Sequence, residues 1–237
     1  MALGKIIRAA RRKKYCAAVI VAAGTASRMG GIDKVMAPIG GEPMILRTVR
    51  RFEACDAIQE IVVVTREDLL EPIRQLCRDC SKLKAVVQGG ASRQQSVELG
   101  LQALSKECRM VAVQDGARPF ASDALICRTV EAAANYGAAA PAIPVKDTIK
   151  VVQNGFVKET PDRNLLRAVQ TPQVFDLDML RGALVKAAQD GVAVTDDCSA
   201  AEHLGMSVQL VEGEETNIKV TTPMDLRLAE MILEEMV

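Results

Sequence analysis

Histidine is almost absent from this sequence. A single one, His203, occurs in 237 residues. That removes histidine-rich zinc sites and would oblige any Ser-His-Asp triad to use one residue whose surroundings read as the surface of a helix. An excess of either charge is missing too: 30 basic residues face 30 acidic ones, so whole-molecule charge selects no class of partner. No apolar run approaches the roughly 20 residues of a membrane-spanning helix. Glycine (16) and proline (9) are ordinary and hydrophobic residues make up 49%, which excludes a collagenous, low-complexity or wholly disordered chain. The seven cysteines, at 16, 55, 77, 80, 108, 127 and 198, are odd in number and scattered, so they form no disulfide framework. Cys77 and Cys80 make one CxxC, but they close a helix-like stretch (residues 68–80), whereas a redox pair opens a helix after a strand. Reduced thiols and a cytoplasmic location are the expectation.

A chain of this length can remove about 70–75% of its unfolded surface from water without disulfide or metal staples. Residues 1–15 form a basic extension. Lys5, Arg8, Arg11, Arg12, Lys13 and Lys14 lie in it with no acid among them, which leaves 24 basic against 30 acidic residues in the remainder. It lacks the apolar core of a secretory signal and reads as a solvated or helical extension. From residue 16 to 237 a single domain is expected. Apolar, β-branched runs at 17–21, 61–65, 84–87, 110–114 and 138–143 read as buried strands. Segments 44–55, 68–80, 92–104 and 123–136 carry apolar residues at helical spacing. Such alternation implies right-handed crossovers and a doubly wound, mostly parallel α/β sheet covered on both faces.

The rhythm breaks near Val145. Two short alternating runs, 148–152 and 156–159, flank Asn154-Gly155, a strong hairpin signal. The hairpin is too short to hold a core, so residues 146–172 are expected to project as a β-arm that packs on a second subunit. Beyond it, 176–190 reads as a helix and 207–211 as a strand. A closing helix begins at Pro223, capped by Thr222, and the stretch beyond leaves no room for a further enzyme domain.

Ligands of open α/β sheets bind beyond the carboxyl ends of the strands, and the chemically informative residues gather there. The first strand runs into Ala22-Ala23-Gly24-Thr25-Ala26-Ser27-Arg28-Met29-Gly30, followed by Lys34. Small residues let backbone amides approach an anion, and Arg28 and Lys34 supply two cations for a polyphosphate. The loop is neither a Walker A motif nor GxGxxG. Gly89-Gly90 and Ser96 follow the third strand, where a flat base can come close, although Ser92 also reads as a helix cap. The fourth strand ends in Asp115-Gly116-Ala117-Arg118-Pro119. Asp115 is placed to hold Mg²⁺ between protein and phosphates, and Arg118 to reach a second phosphate. Lys219, in Asn217-Ile218-Lys219-Val220-Thr221, is expected near another strand end. Three cations and a strand-end acid suit nucleotidyl transfer, and no nucleophile-base pair competes.

The first loop resembles the signature of nucleotidylyltransferases that activate phosphorylated sugars and polyols. Taken with Asp115 to Pro119, Pro144-Val145-Lys146-Asp147-Thr148, Asp162-Arg163-Asn164, Gln170-Thr171-Pro172-Gln173, Thr195-Asp196-Asp197 and Asn217 to Thr221, the chain from about Cys16 onward is similar to the 2-C-methyl-D-erythritol 4-phosphate cytidylyltransferase family of the non-mevalonate isoprenoid pathway. The resemblance implies a Rossmann-like nucleotidyltransferase fold and transfer of CMP from CTP to the methylerythritol phosphate, with release of pyrophosphate. The attack on the α-phosphorus would be direct, in a homodimer using Mg²⁺ or another divalent cation. A phosphate monoester with a second pKa near ~6 is largely dianionic at neutral pH, so no general base is required. By motif position, Arg28, Lys34 and Lys219 would be catalytic. Ala22, Ala23, Gly24, Gly90, Ser96 and Gly116 would line the CTP site. Asp115, Arg118, Thr148, Arg163 and Thr195 would bind the acceptor, Thr148 and Arg163 from the arm across a dimer interface, and Asp115 would also hold the metal. Ala91 stands where many members carry an acid, so a base contact there must come from the backbone. A ribitol 5-phosphate or other polyol-phosphate cytidylyltransferase is the alternative. The arm motif with Gln170-Thr171-Pro172 favours methylerythritol phosphate. No nucleic-acid or membrane partner is expected.

Overall fold

The computed structural model describes residues 15–24 and 34–236. Of the basic extension only Tyr15 is among them, and Arg28 lies outside them. In chain order the elements are β1 (Cys16–Ala22), β2 (Pro38–Ile39), β3 (Glu42–Pro43), α1 (Met44–Ala54), β4 (Glu60–Thr65), α2 (Leu70–Leu76) and β5 (Leu83–Gln88). Then come α3 (Arg93–Gln102), β6 (Met110–Asp115), α4 (Asp123–Tyr136), β7 (Ala138–Pro144), β8 (Val151–Gln153), β9 (Phe156–Glu159), β10 (Arg167–Val169) and β11 (Gln173–Asp176). The chain closes with α5 (Leu177–Gln189), α6 (Asp197–His203), β12 (Gln209–Glu212) and α7 (Pro223–Glu235).

Eight strands form one sheet, in the order β10-β7-β11-β6-β1-β4-β5, with β12 also paired to β7. The pairs β1/β4, β1/β6, β4/β5 and β7/β12 are parallel, whereas β10 and β11 run antiparallel to their neighbours. Two-residue periodicity sends alternate side chains to opposite faces. Cys16, Ala18, Ile20 and Ala22 therefore join Val49, Phe52, Ile73 and Leu125 on one side. Ala17 and Val19 join Val97, Leu101, Leu180 and Ala200 on the other. Helices α1, α2 and α4 cover the first face and α3, α5 and α6 the second, which is the doubly wound architecture. A third cluster, with Ile39, Phe120, Val220 and Ile232, packs α7 onto the loops beyond the strand ends.

The hairpin forms where Asn154-Gly155 indicated it. Both turn residues have positive φ, 53° and 83°, as a twist-compatible two-residue turn requires. Its strands are exposed along their whole length. The stretch 146–172 is not all projection, however, because Arg167–Val169 pair with β7 in the main sheet. Neither β10 nor β11 carries an alternating apolar run. Each is a short segment, β10 added beside β7 and β11 inserted between β7 and β6, joined through the cis Thr171-Pro172 bond. The helix expected to reach Cys80 ends at Leu76 with Cys77 as its C-cap, so the CxxC follows the helix. Burial, then the neighbouring Cys80, push the Cys77 thiol up to about 12, opposite to the lowered thiol of a redox motif.

Candidate active site

Strand order decides where the site lies. The chain winds outward from β1 through β4 to β5 and returns to β6 on β1's other side, so the loops after β1 and β6 diverge. A cleft opens at such a switch point. It has a volume of about 500 Å³ and is lined among others by Ala22, Ala23 and Gly24 after β1, Gly90 and Ser96 after β5, and Asp115 after β6. Lys34 and Lys219 complete it. Of the described residues expected at the nucleotide and catalytic sites, Gly116 alone is missing from this lining; of those expected at the acceptor site, Asp115 lines it and Arg118, Thr148, Arg163 and Thr195 do not. Gly116 donates its N–H to Val21 O (2.8 Å) and accepts from Thr48 Oγ1 (3.0 Å). Its backbone thereby ties the β6 loop to β1 and α1.

The loops approach one another closely. A Cβ at Gly89 would fall 2.5 Å from Ala23 Cβ and 2.9 Å from Ser96 Oγ, so only glycine brings the third loop against the first. Ser96 is buried. Its Oγ donates to Ser92 O (2.9 Å) and accepts from Gly90 N–H (3.1 Å), which sets the Gly90 backbone on the cleft wall. Ser92 caps α3 by accepting from Gln95 N–H.

Asp115 sits at the centre of a cationic shell. Its carboxylate lies 2.8 Å from Lys219 Nζ, 3.6 Å from Arg118 Nε and 3.8 Å from Arg93 Nη2. Burial alone would raise its pKa; Lys219 first, then Arg93 and Arg118, outweigh that and hold it below the ordinary carboxylate range. Arg118 also donates to Asn217 O at 2.7 Å, and burial lowers its pKa despite Asp115. It fastens the Lys219 segment to the β6 turn. Lys219 belongs to no strand. It stands in an irregular stretch after β12, held by Val220 N–H to Ala117 O (2.9 Å).

A buried polar network holds this arrangement. Thr171 Oγ1 donates to Gln114 Oε1 (2.8 Å) and accepts from Asp115 N–H (3.1 Å). Asn217 Nδ2 donates to Thr171 O (2.9 Å) and Gln170 Nε2 to Glu214 O (2.8 Å). Gln170-Thr171-Pro172-Gln173 thus connects β7, β6 and the Lys219 segment.

Arg93 and Asp197 were given no role by sequence reasoning. Arg93 lines the cleft and donates to Asp197 Oδ2 at 2.7 Å, and the Asp197 side chain is 1% exposed. Burial raises the Asp197 pKa although Arg93 opposes it; burial would lower Arg93, but Asp197 overrides it and holds the guanidinium above its ordinary value. The only sequence signal was that Asp197 lies in Thr195-Asp196-Asp197 and Arg93 follows Gly89-Gly90, with nothing to pair them. Thr195 stands just before α6, its N–H bonded to Ser199 Oγ.

Arg163 and Thr148 are not brought to this cleft within one chain. Arg163 donates to Lys146 O at 2.8 Å and lines a separate hollow with Pro144, Val145, Lys146, Asn164 and Arg167. Thr148 is exposed on the arm and lines neither cavity.

Comparison with known proteins gives a consistent result. The family model described as 2-C-methyl-D-erythritol 4-phosphate cytidylyltransferase matches residues 16–235. Proteins of that name from Symbiobacterium thermophilum and Caldanaerobacter subterraneus subsp. tengcongensis are 46% and 42% identical, covering 92% and 91% of this chain and 92% and 97% of their own lengths. Among solved structures, a 4-diphosphocytidyl-2C-methyl-D-erythritol synthase from Anaerococcus prevotii superposes with a TM-score of 0.86 at 30% identity, over 94% of this chain and all of its own. The 2-C-methyl-D-erythritol 4-phosphate cytidylyltransferase of Thermus thermophilus gives 0.78 at 34% identity, over 93% and 99%.

Proposed function

We propose a working arrangement for this cleft from one premise: the chain belongs to the 2-C-methyl-D-erythritol 4-phosphate cytidylyltransferase family. It transfers CMP from CTP to 2-C-methyl-D-erythritol 4-phosphate, giving 4-diphosphocytidyl-2-C-methyl-D-erythritol and pyrophosphate. An acceptor phosphate oxygen forms a bond to the α-phosphorus of CTP. The bond from that phosphorus to the bridging oxygen breaks, and pyrophosphate leaves with the electron pair. The acceptor is already largely dianionic at neutral pH. The barrier is therefore the approach of two polyanions and the charge on the five-coordinate phosphorus, and fixed cations lower it.

In this reading Lys34 holds the triphosphate together with Arg28, which lies outside the described residues. Lys219 bridges the α-phosphate and the acceptor. The backbone of Ala22, Ala23, Gly24 and Gly90 receives the nucleotide, with Ser96 and Gly116 keeping the loops in place. Asp115 orients Lys219 and the acceptor hydroxyls, and Arg118 and Thr195 stand nearby. The observation that carries the assignment is Asp115, with Lys219 at 2.8 Å, in a cleft that Lys34 also lines.

The donor set fits Mg²⁺. Asp115 is the one carboxylate lining the cleft among the described residues, and Mg²⁺ is commonly held by one or two carboxylates plus substrate phosphates. With cations around it, Asp115 would hold the ion once a triphosphate is present, and the bound ion would offset charge on the phosphates.

The arm supports a homodimer. Val152, Phe156 and Val157 on the hairpin are 59%, 79% and 60% exposed, on an element with no core of its own, and large apolar side chains exposed together on one element mark an interaction site. A second copy would cover it and carry Thr148 and Arg163 to the partner's cleft. No helix among the described residues is long and apolar enough to cross a membrane. Free cysteines support a cytoplasmic location.

Pyrophosphate release tests the reading, with CTP against ATP, GTP and UTP, methylerythritol phosphate against ribitol 5-phosphate, and Mg²⁺ against a chelator. Release confined to CTP, methylerythritol phosphate and added Mg²⁺ is expected. Release with ribitol phosphate would move the acceptor, and none from folded protein would overturn the assignment.

A further inference from the structure

Away from the cleft lining, three potential metal ligands converge. Cys55 is the C-cap of α1, and Asp123 and Cys127 lie four residues apart on one face of α4. One ligand atom from each comes within 4.8 Å of the others. The two sulfurs are 3.7 Å apart, and Cys127 Sγ is 3.8 Å from Asp123 Oδ1.

These separations are those of a coordination polyhedron. Two thiolates about 2.3 Å from a tetrahedral Zn²⁺ stand about 3.8 Å apart, and a thiolate and a carboxylate oxygen about 3.5 Å apart. A disulfide would instead require the sulfurs to close to about 2.05 Å. Burial is graded in a useful way: Cys55 is fully buried, Cys127 partly so, and Asp123 is exposed. An ion would enter from the Asp123 side and keep a fourth position for water.

We propose that Cys55, Cys127 and Asp123 bind a thiophilic divalent cation, Zn²⁺ being the natural candidate, at a site separate from the Mg²⁺ of catalysis. Binding converts two thiols to thiolates and releases two protons to solvent. Uptake therefore strengthens as pH rises, because the metal competes with protons. The ion would clamp the end of α1 to α4. A hard ion such as Mg²⁺ prefers an all-oxygen shell and would not compete.

The test is a titration of reduced, chelator-stripped full-length protein with Co²⁺ in excess Mg²⁺. The expected result is a thiolate-to-cobalt charge-transfer band that saturates at one equivalent and is displaced by Zn²⁺. Cys127→Ser should abolish the band and Asp123→Asn should weaken Co²⁺ binding at least tenfold. Cys77→Ser with Cys80→Ser should leave it intact. Circular dichroism checks that each variant folds. Asp123→Asn, at an exposed position, keeps the test decisive if Cys127→Ser does not. No band in the parent protein, a band that survives both substitutions, or one lost only with Cys77 and Cys80 would overturn the proposal. So would isolation of a Cys55–Cys127 disulfide that, once reduced, takes up no Co²⁺.

Discussion

Arg93 and Asp197 stand 104 positions apart in the chain and 2.7 Å apart in space. Asp197 is the deeper partner, so removing Arg93 strands a carboxylate that water cannot reach. An unpaired buried charge costs about 3–5 kcal/mol, and Arg93→Ala should lose about that much at neutral pH. The sign of the pH dependence follows from Asp197, whose folded pKa is already raised above its unfolded value near ~3.9. Stability from such a group is fully present below the unfolded pKa and falls as pH rises through the folded one. Arg93→Ala should therefore recover stability on acidification from neutral toward pH ~4, measured as urea midpoints across that range. A flat profile would show that Asp197 is not the stranded charge. Lys219 has the opposite character. Its side chain is 44% exposed, and Arg93 and Arg118 still face Asp115 when it is removed, so Lys219→Ala should lower the unfolding midpoint less than Arg93→Ala does while lowering kcat ~10²–10³-fold, read in the pyrophosphate assay.

Helix α7 shows how local chemistry is carried into the site. Thr222 accepts from Asp225 N–H and Asp225 accepts from Thr221 and Thr222 N–H, a reciprocal cap with Pro223 in the first turn. These bonds outweigh the effect of burial and hold Asp225 below the ordinary carboxylate range. Because the cap begins three residues after Lys219, Thr222→Ala should cost about 1 kcal/mol and raise KM for CTP before it affects the overall fold. Thermal unfolding and initial rates, measured together, separate the two effects. The hairpin of β8 and β9 is locally determined as well, by its turn, but its apolar side chains find no partner within the described residues of the chain. Phe156→Ser should leave the monomer's unfolding midpoint unchanged and shift sedimentation from dimer toward monomer, with activity falling in parallel.

At the scale of the molecule, the return of the chain to the far side of β1 creates the cleft, and α7 roofs the loops around it. The arm lies apart from that cleft, and Arg163 lines a hollow sharing no residue with it. If Arg163 serves the partner's site, two inactive variants should complement each other. Mixed dimers of Arg163→Ala with Lys34→Ala assemble one intact site and one doubly damaged one. Activity should rise from near zero toward about one quarter of the parent level in an equal mixture, following subunit statistics. Failure of mixed dimers to recover activity would place Arg163 in its own subunit's chemistry.

The sequence by itself determined whatever depends on neighbours in the chain. Most strands announced themselves as β-branched runs, although the expected buried strand at 84–87 is β5 at the sheet edge, where only Val86 is buried; α4 was legible as a helical pattern with bounds 123–136, the hairpin as Asn154-Gly155, and the start of α7 as Thr222-Pro223. Loop chemistry at the strand ends was legible for the same reason, since small residues and cations follow the strands directly. Only the tertiary structure decided which distant groups meet. Strands β10 and β11 are three and four residues long and exist because β7 and β6 offer them hydrogen bonds. Helix α6 is too short for a periodic signal, and its cap pairs Asp196 with Ser199 rather than with an acid or amide. The cationic shell of Asp115, the Arg93–Asp197 pair and the cluster of Cys55, Asp123 and Cys127 join residues from separate crossovers. Their energies come from burial and Coulomb interactions that exist only once the sheet has brought the loops together.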